Sequence, residues 1–188
     1  ALMVLSELTV MRTLVAAVTT SAHITHLRDP ETGSNLDRMS RYSRLIARRL
    51  APQYQLNDEY IEHVFMYSPL HDIGKVAIPD QILLKPGLLT ADETQVMQSH
   101  SRKGREMIDD MLANFGLDGL QHVNILRNIA EFHHEAVNGG GYPRGLKDGE
   151  IPLEARIVAV ADVFDALTSR RPYKDAWTTD INVYAVSV

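Results

Sequence analysis

His71-Asp72, His100, His133-His134 and Asp162, with Glu31 ahead of them, spread imidazoles and carboxylates along most of a chain that has no cysteine. No short stretch of it has the spacing of a zinc finger. Nitrogen and oxygen donors without thiolate suit a borderline-to-hard metal such as iron, manganese, nickel or zinc. One or two such ligands per helix are what a bundle needs to build a multi-metal centre in its core. Metals held a few ångströms apart in that way point to hydrolysis of a phosphate ester.

Each piece of the set has its own chemistry. In His71-Asp72-Ile73-Gly74-Lys75 the first two side chains are adjacent, and neighbours on a helix diverge by about 100°. They converge on one metal only near a helix end or a kink. Gly74 is expected to supply that end, because glycine tolerates left-handed backbone angles. A carboxylate such as Asp72 can bridge two metals, whereas an imidazole binds one, so Asp72 is the expected catalytic centrepiece. Lys75 is placed to meet a phosphate oxygen as a point charge. A His-Asp pair by itself means little; the five-residue string with its glycine and lysine is far more specific.

His133-His134-Glu135 runs into Asn138-Gly139-Gly140-Gly141-Tyr142-Pro143. Adjacent histidines at a helix end read equally well as surface residues, and a glycine loop alone is weak. Together they carry more: glycines let backbone approach a bulky ligand, and Tyr142 is able to stack on a base or bond a phosphate. Asp162 stands in the almost wholly apolar run Val158–Leu167, where a carboxylate is rarely buried without a partner. A metal is the expected partner, and Asp165, one turn later, is expected to bond a supporting group or cap a neighbouring element. His100 alone would be an ordinary polar helix residue and joins the set through its company. His23, His26, His63 and His122 read as structural or surface residues.

These side chains need helices to hold them. Leu2, Leu5, Leu8, Met11, Leu14, Val15 and Val18 recur at helical spacing and predict a helix over 2–28. It either packs on the core or connects to an upstream sensory domain, and it would also suit a homodimer. Asp29-Pro30 is a helix-start signal. A second helix is predicted over 31–50, with Leu36, Met39, Tyr42, Leu45, Ile46 and Leu50 inward and most of Arg38, Arg41, Arg44 and Arg48 on a solvated face. Further helices are predicted over 57–72, 90–113, 119–134 and 153–169. Pro79, Pro86 and Gly87 make 73–89 a loop with at most a short turn, and loop continues from Asn138 to Pro152. Without sustained period-two alternation, the fold class is all-α, a helical bundle.

Composition sets the outer limits. The 188 residues suffice for one well-cored domain, and 45% hydrophobic with 23% charged residues is ordinary for a globular chain. A net charge of −5 argues against a nucleic-acid polymer as partner but not against a small nucleotide. The lack of cysteine excludes disulfides and thiolate metal sites and is compatible with a reducing cytoplasm, the expected location. No apolar run is long enough for a membrane span, and no signal peptide is recognisable. The chain starts on Ala1 rather than Met, as a piece of something larger would.

From about Asp29 to Trp177 the chain resembles the HD-GYP family, output domains of bacterial cyclic-di-GMP signalling. The motifs are Glu31-Thr32-Gly33, His71–Lys75, Ile78-Pro79, Lys85–Thr90, His100 and Gly104. They continue as His133-His134-Glu135, Gly139, Gly141-Tyr142-Pro143, Ile151-Pro152, Ala161–Thr168 and Arg171–Lys174. The resemblance implies an HD-GYP bundle over 29–177, with 1–28 as a connector and 178–188 as a tail without assignment. It implies two or three divalent ions, usually iron or manganese, held by Glu31, His71, Asp72, His100, His133, His134 and Asp162. It also implies hydrolysis of cyclic di-GMP to pGpG, with a second cut to GMP left open, and Lys75, Tyr142, Arg171 and Lys174 on the substrate. In related proteins the Gly139-Gly140-Gly141-Tyr142-Pro143 loop offers a surface to signalling-protein partners. Three positions depart from the family: Asn35 where a metal-binding His is usual, Asn138 where Asp is usual, and Val137 where an aromatic is frequent. Asn35 and Asn138 keep open a catalytically weak cyclic-dinucleotide-binding module as the alternative, and a mononucleotide phosphohydrolase is a more distant one.

Overall fold

The computed structural model describes residues 35–169, together with Thr9, Thr13, Val15 and Ala16. Its helices are α1 (Asn35–Tyr54), α2 (Asp58–Tyr67), α3 (Asp80–Leu83), α4 (Ala91–Gln98), α5 (His100–Asn114), α6 (Val123–Phe132) and α7 (Leu153–Thr168). Tighter 3-10 turns occupy Ser68–Leu70, Ile73–Ala77 and Asp148–Glu150. Among the described residues there is no strand, only an isolated bridge between Asn138 and Lys147. The all-α class expected from the sequence holds.

Polar side chains start two of these helices where the sequence allows it. The Asn57 side chain accepts from Tyr60 N at 2.8 Å to begin α2. Thr90 and Glu93 close a reciprocal capping box at α4. α1 packs on α2 and α7, α6 lies against α2, α5 and α7, and α5 also carries the Ile73–Ala77 turn. Met39, Val64, Tyr67, Leu70, Ile108, Leu112, Leu126, Ile129, Ile157 and Val158 fill the space between them and are all but inaccessible. Each large side chain buried there contributes about 1.5–3 kcal/mol. Val15 joins the same core at 6% exposure. A smaller cluster of Phe132, Ile151 and Ala155, with Leu146 against it, lies beneath the glycine-rich loop.

Several expected boundaries shift for identifiable reasons. The inward stripe of α1 runs through Leu36, Met39, Ser40, Ser43 and Ala47, while Leu45, expected inside, is 62% exposed. Ser40 Oγ donates to Leu36 O at 3.0 Å, so a hydroxyl sits in the core without cost and apolar spacing alone misses it. Arg38 leaves the solvated set and binds Asp165, Nε to Oδ1 at 2.7 Å, which supplies the supporting bond expected of that carboxylate. The helix predicted over 57–72 stays α-helical only to Tyr67, because Pro69 has no N–H to continue it. The helix predicted over 90–113 breaks at Ser99. There Ser99, His100 and Ser101 each bond a carbonyl three residues back, in competition with the helical ladder. The helix predicted over 119–134 begins only at Val123, after His122 in a left-handed conformation. The 73–89 link is more ordered than expected, with the Ile73–Ala77 turn and α3 within it.

Candidate metal centre

His71 and Asp72 occupy the joint between two 3-10 turns, with Asp72 at φ −96, ψ 10. This is the kink that lets two adjacent side chains face one point. Gly74 works differently from the expectation. It lies inside the second turn rather than ending a helix, and it is not among the glycines with positive φ. A Cβ there would collide with His100 O and lie 2.5 Å from Gly104 N. Its missing side chain therefore lets the Asp72 turn press directly on the start of α5. Gly104, which faces it, is buried as well.

Four segments converge. His100 stands at the first turn of α5, His133 and His134 follow α6, and Asp162 comes from α7. One ligand atom from each of Asp72, His100, His133 and His134 lies within 4.8 Å of the others. Asp72 sits in the middle. Its Oδ1 is 3.2 Å from His100 Nε2 and 3.7 Å from His133 Nε2, and its Oδ2 is 3.3 Å from His71 Nε2. Asp162 Oδ1 approaches His71 Nε2 at 3.9 Å. Lys75 Nζ rests on Asp72 Oδ2 at 2.6 Å.

The imidazoles are aimed by the backbone. Nδ1–H of His71 donates to Ser68 O at 2.8 Å, that of His100 to Met97 O at 2.8 Å, and that of His133 to Ile129 O at 2.9 Å. A donor at Nδ1 fixes the ring and points Nε2 toward the centre, the usual arrangement of a metal-binding histidine. His100 Nε2, His133 Nε2 and Asp72 Oδ1 are buried and make no hydrogen bond among the described residues. Acceptors facing acceptors in a dry pocket cost about 1–3 kcal/mol each unless a cation lies between them. The donor set therefore fits a divalent metal.

Charge follows from burial and neighbours. Burial pushes the Asp72 carboxyl up, but Lys75 and His71 outweigh it and hold the group well below the usual carboxylate range. Burial pulls His71 down, yet Asp72 and Asp162 prevail and lift it to about 9. His134 falls to about 2, chiefly by burial and then by the neighbouring His133. Burial also lowers His133. A metal entering here displaces the proton held on His71.

The loop after α6 closes one side. The Tyr142 ring stacks on His134 with centroids 4.7 Å apart and 27° between planes. Its N–H donates to His134 O at 3.1 Å, and burial raises its phenol above the ordinary tyrosine value. Gly141 meets protein rather than opening toward a ligand: a Cβ would lie 2.5 Å from Glu135 Cα and from His134 O. Gly139 is the residue that turns the chain, at φ +78. Asn138 Oδ1 accepts from Gly140 N at 2.8 Å, so asparagine supplies the acceptor that a turn aspartate would. Val137 is 51% exposed.

Two carboxylates without an assigned role in the sequence hold this loop. Buried Glu135 accepts from Arg144 N at 2.7 Å and from Leu146 N at 2.9 Å. Buried Glu131 binds Arg144 and Arg105, whose Nη1 is 3.0 Å from Oε2. Their signal in the sequence is a glutamate at the buried end of an amphipathic helix, which no periodicity pairs with its arginine. Glu31, Arg171, Lys174 and the Asn35 side chain lie outside the described residues, as does the 178–188 tail.

A helical bundle whose buried His-Asp joint faces three further imidazoles defines the class, and the chain belongs to the HD domain family, which it matches over residues 19–183. It is 50% identical over 81% of its length to the cyclic di-GMP phosphodiesterase response regulator RpfG of Xanthomonas campestris pv. campestris, covering 38% of that protein. It is 44% identical over 85% of its length to a probable cyclic di-GMP phosphodiesterase of Vibrio cholerae, covering 37% of it. A 3'3'-cGAMP-specific phosphodiesterase of Vibrio cholerae is 41% identical over 85% of this chain, which covers 28% of that relative. The chain thus spans 28–38% of the length of these curated relatives. No described helix is long and apolar enough to cross a membrane.

Proposed function

We propose that this chain is the catalytic portion of a metal-dependent phosphodiesterase that opens cyclic di-GMP to pGpG, as the output of a cytoplasmic bacterial signalling protein. The observation that carries the reading is the knot of buried, unbonded Asp72 Oδ1, His100 Nε2 and His133 Nε2. Resemblance to relatives named as cyclic di-GMP phosphodiesterases supports the substrate.

Asp72 would be shared between the ions in this proposal, because its oxygens face different partners. Oδ1 looks toward His100 and His133, and Oδ2 toward His71. His134 joins the first side and Asp162 the second, with Glu31 completing the set. Divalent ions so held, iron or manganese and two or three in number, supply a Lewis acid and a water of lowered pKa. The new bond joins a water oxygen to phosphorus, and the bond to a ribose oxygen breaks as that oxygen takes a proton. Lys75 neutralises charge on the non-bridging oxygens as it builds. Tyr142 keeps its proton, since burial raises its pKa, and donates to a phosphate oxygen or stacks on a guanine. Arg171 and Lys174 hold the second phosphate. The Gly141-Tyr142-Pro143 loop is also the surface offered to signalling partners, and residues 1–28 serve as connector or dimer contact.

The test is a timed digestion of cyclic di-GMP, with 3'3'-cGAMP in parallel, by protein purified without oxygen and loaded with iron(II) or manganese. Wild type should accumulate pGpG from cyclic di-GMP. Asn35→His should work faster or carry the product on to GMP, because it restores an imidazole four residues after Glu31. Metal-loaded protein that binds cyclic di-GMP and cuts neither substrate would make the chain a binding module.

A further inference from the structure

A second set of ligand-type side chains lies outside the centre described above. Glu59, His63 and His122 each bring one ligand atom within 4.8 Å of the other two. Glu59 and His63 are four residues apart on one face of α2. His122 immediately precedes α6, and its left-handed backbone, φ 65 and ψ 5, is part of the turn that brings it to them. His122 Nε2 is 3.4 Å from Glu59 Oε1, and the His63 and His122 rings have centroids 4.8 Å apart.

Two details separate this group from a chance surface cluster. The His63 Nδ1–H donates to Glu59 O at 2.7 Å. That is the same kind of backbone bond that orients His71, His100 and His133, and it fixes the tilt of the His63 ring. The spacing also fits. Bonds of about 2.0–2.2 Å around tetrahedral zinc put neighbouring ligand atoms about 3.4 Å apart, the separation of His122 Nε2 and Glu59 Oε1. His63 is buried at 5% exposure, whereas the Glu59 and His122 side chains are 46% and 29% exposed. The group thus has one fixed interior ligand and two at the rim, open to solvent.

We propose that Glu59, His63 and His122 form a further metal site, taking one zinc-class ion through two imidazoles and a carboxylate, with water on the solvent side. The reading of the catalytic centre is not needed for it. The donor set of two histidines and a glutamate suits zinc and leaves one tetrahedral position for water. The site joins the start of α2 to the start of α6. The far end of α2 leads into His71-Asp72, and the far end of α6 into His133-His134. An ion there ties together the near ends of the two helices that deliver catalytic ligands about 15 Å further along.

The probe is zinc alone, added to chelator-stripped protein and counted by competition with a chromogenic chelator. Wild type, Glu59→Gln, His122→Gln and Asp72→Ala are compared, with helical content checked by circular dichroism. Wild type should bind one more zinc per chain than either rim variant, or bind its last equivalent on the order of 10–100-fold more tightly. Manganese-supported phosphodiesterase activity should be unchanged in both rim variants. Asp72→Ala should keep the zinc that both rim variants lose. Equal zinc content and affinity in wild type and the folded rim variants overturns the proposal, as does an Asp72→Ala protein that binds no zinc.

Discussion

Asp72 and Glu131 are both largely buried carboxylates surrounded by nitrogen, yet their neighbours leave them in opposite states. Glu131 is fully engaged: Arg144 holds Oε1 and Arg105 holds Oε2. The chain of contacts goes on from Arg105 Nε to Asp109 at 2.7 Å and from Asp109 to Arg127 at 2.6 Å. Around Asp72, His100 and His133 spend an Nδ1 hydrogen on backbone carbonyls and turn Nε2 inward, so Oδ1 and these two Nε2 atoms stay unbonded among the described residues. Guanidinium brings its own protons and makes a closed structural network; locked imidazole brings none and makes a place for a cation. The state of the partners, more than burial or charge, separates a scaffold from a site.

Four substitutions would break or sharpen that contrast. Asp72→Ala should have the largest effect on function: iron or manganese content falling to background by elemental analysis, and turnover falling by more than about 100-fold, beyond the usual loss from an outer-shell partner. Retention of both metal and rate would remove Asp72 from its proposed bridging role. Gly74→Ala should have the largest effect on stability, about 4–5 kcal/mol or failure to fold, because a Cβ there meets backbone that cannot rotate away. Denaturant unfolding measures it. Glu131→Gln should cost about 1–3 kcal/mol while metal content stays at the wild-type level. Metal loss as deep as that of Asp72→Ala would erase the distinction between the two regions. Arg102→Ala removes an exposed pair with Glu106 and should change unfolding by no more than about 0.5 kcal/mol.

Much of this was legible in the sequence because ligand types are few and their company is informative. His71, Asp72, His100, His133, His134 and Asp162 converge as their chemistry required, and the helical class followed from periodicity. What escaped depends on polar groups doing apolar work, or on distance along the chain. Ser40 and Ser43 line the core face of α1, which displaced the stripe onto exposed Leu45. The break at Ser99 arises from three successive side chains bonding carbonyls behind them, a competition invisible to hydrophobic spacing. Gly74 looked like a helix stop and is instead a contact point, since a glycine reads the same for either purpose. Glu131 and Arg144, or Arg38 and Asp165, pair across separations that one sequence does not reveal.

The meeting of Gly74 with Gly104 has a mechanical consequence. With no side chains between them, the Asp72 turn and the front of α5 have almost no compliance, and His71, Asp72 and His100 form one rigid jaw. His133, His134 and Asp162 stand on α6 and α7, the other jaw. The give in this centre therefore lies between the two jaws, where α5 meets α6, and a push on α5 alone carries His71, Asp72 and His100 along together.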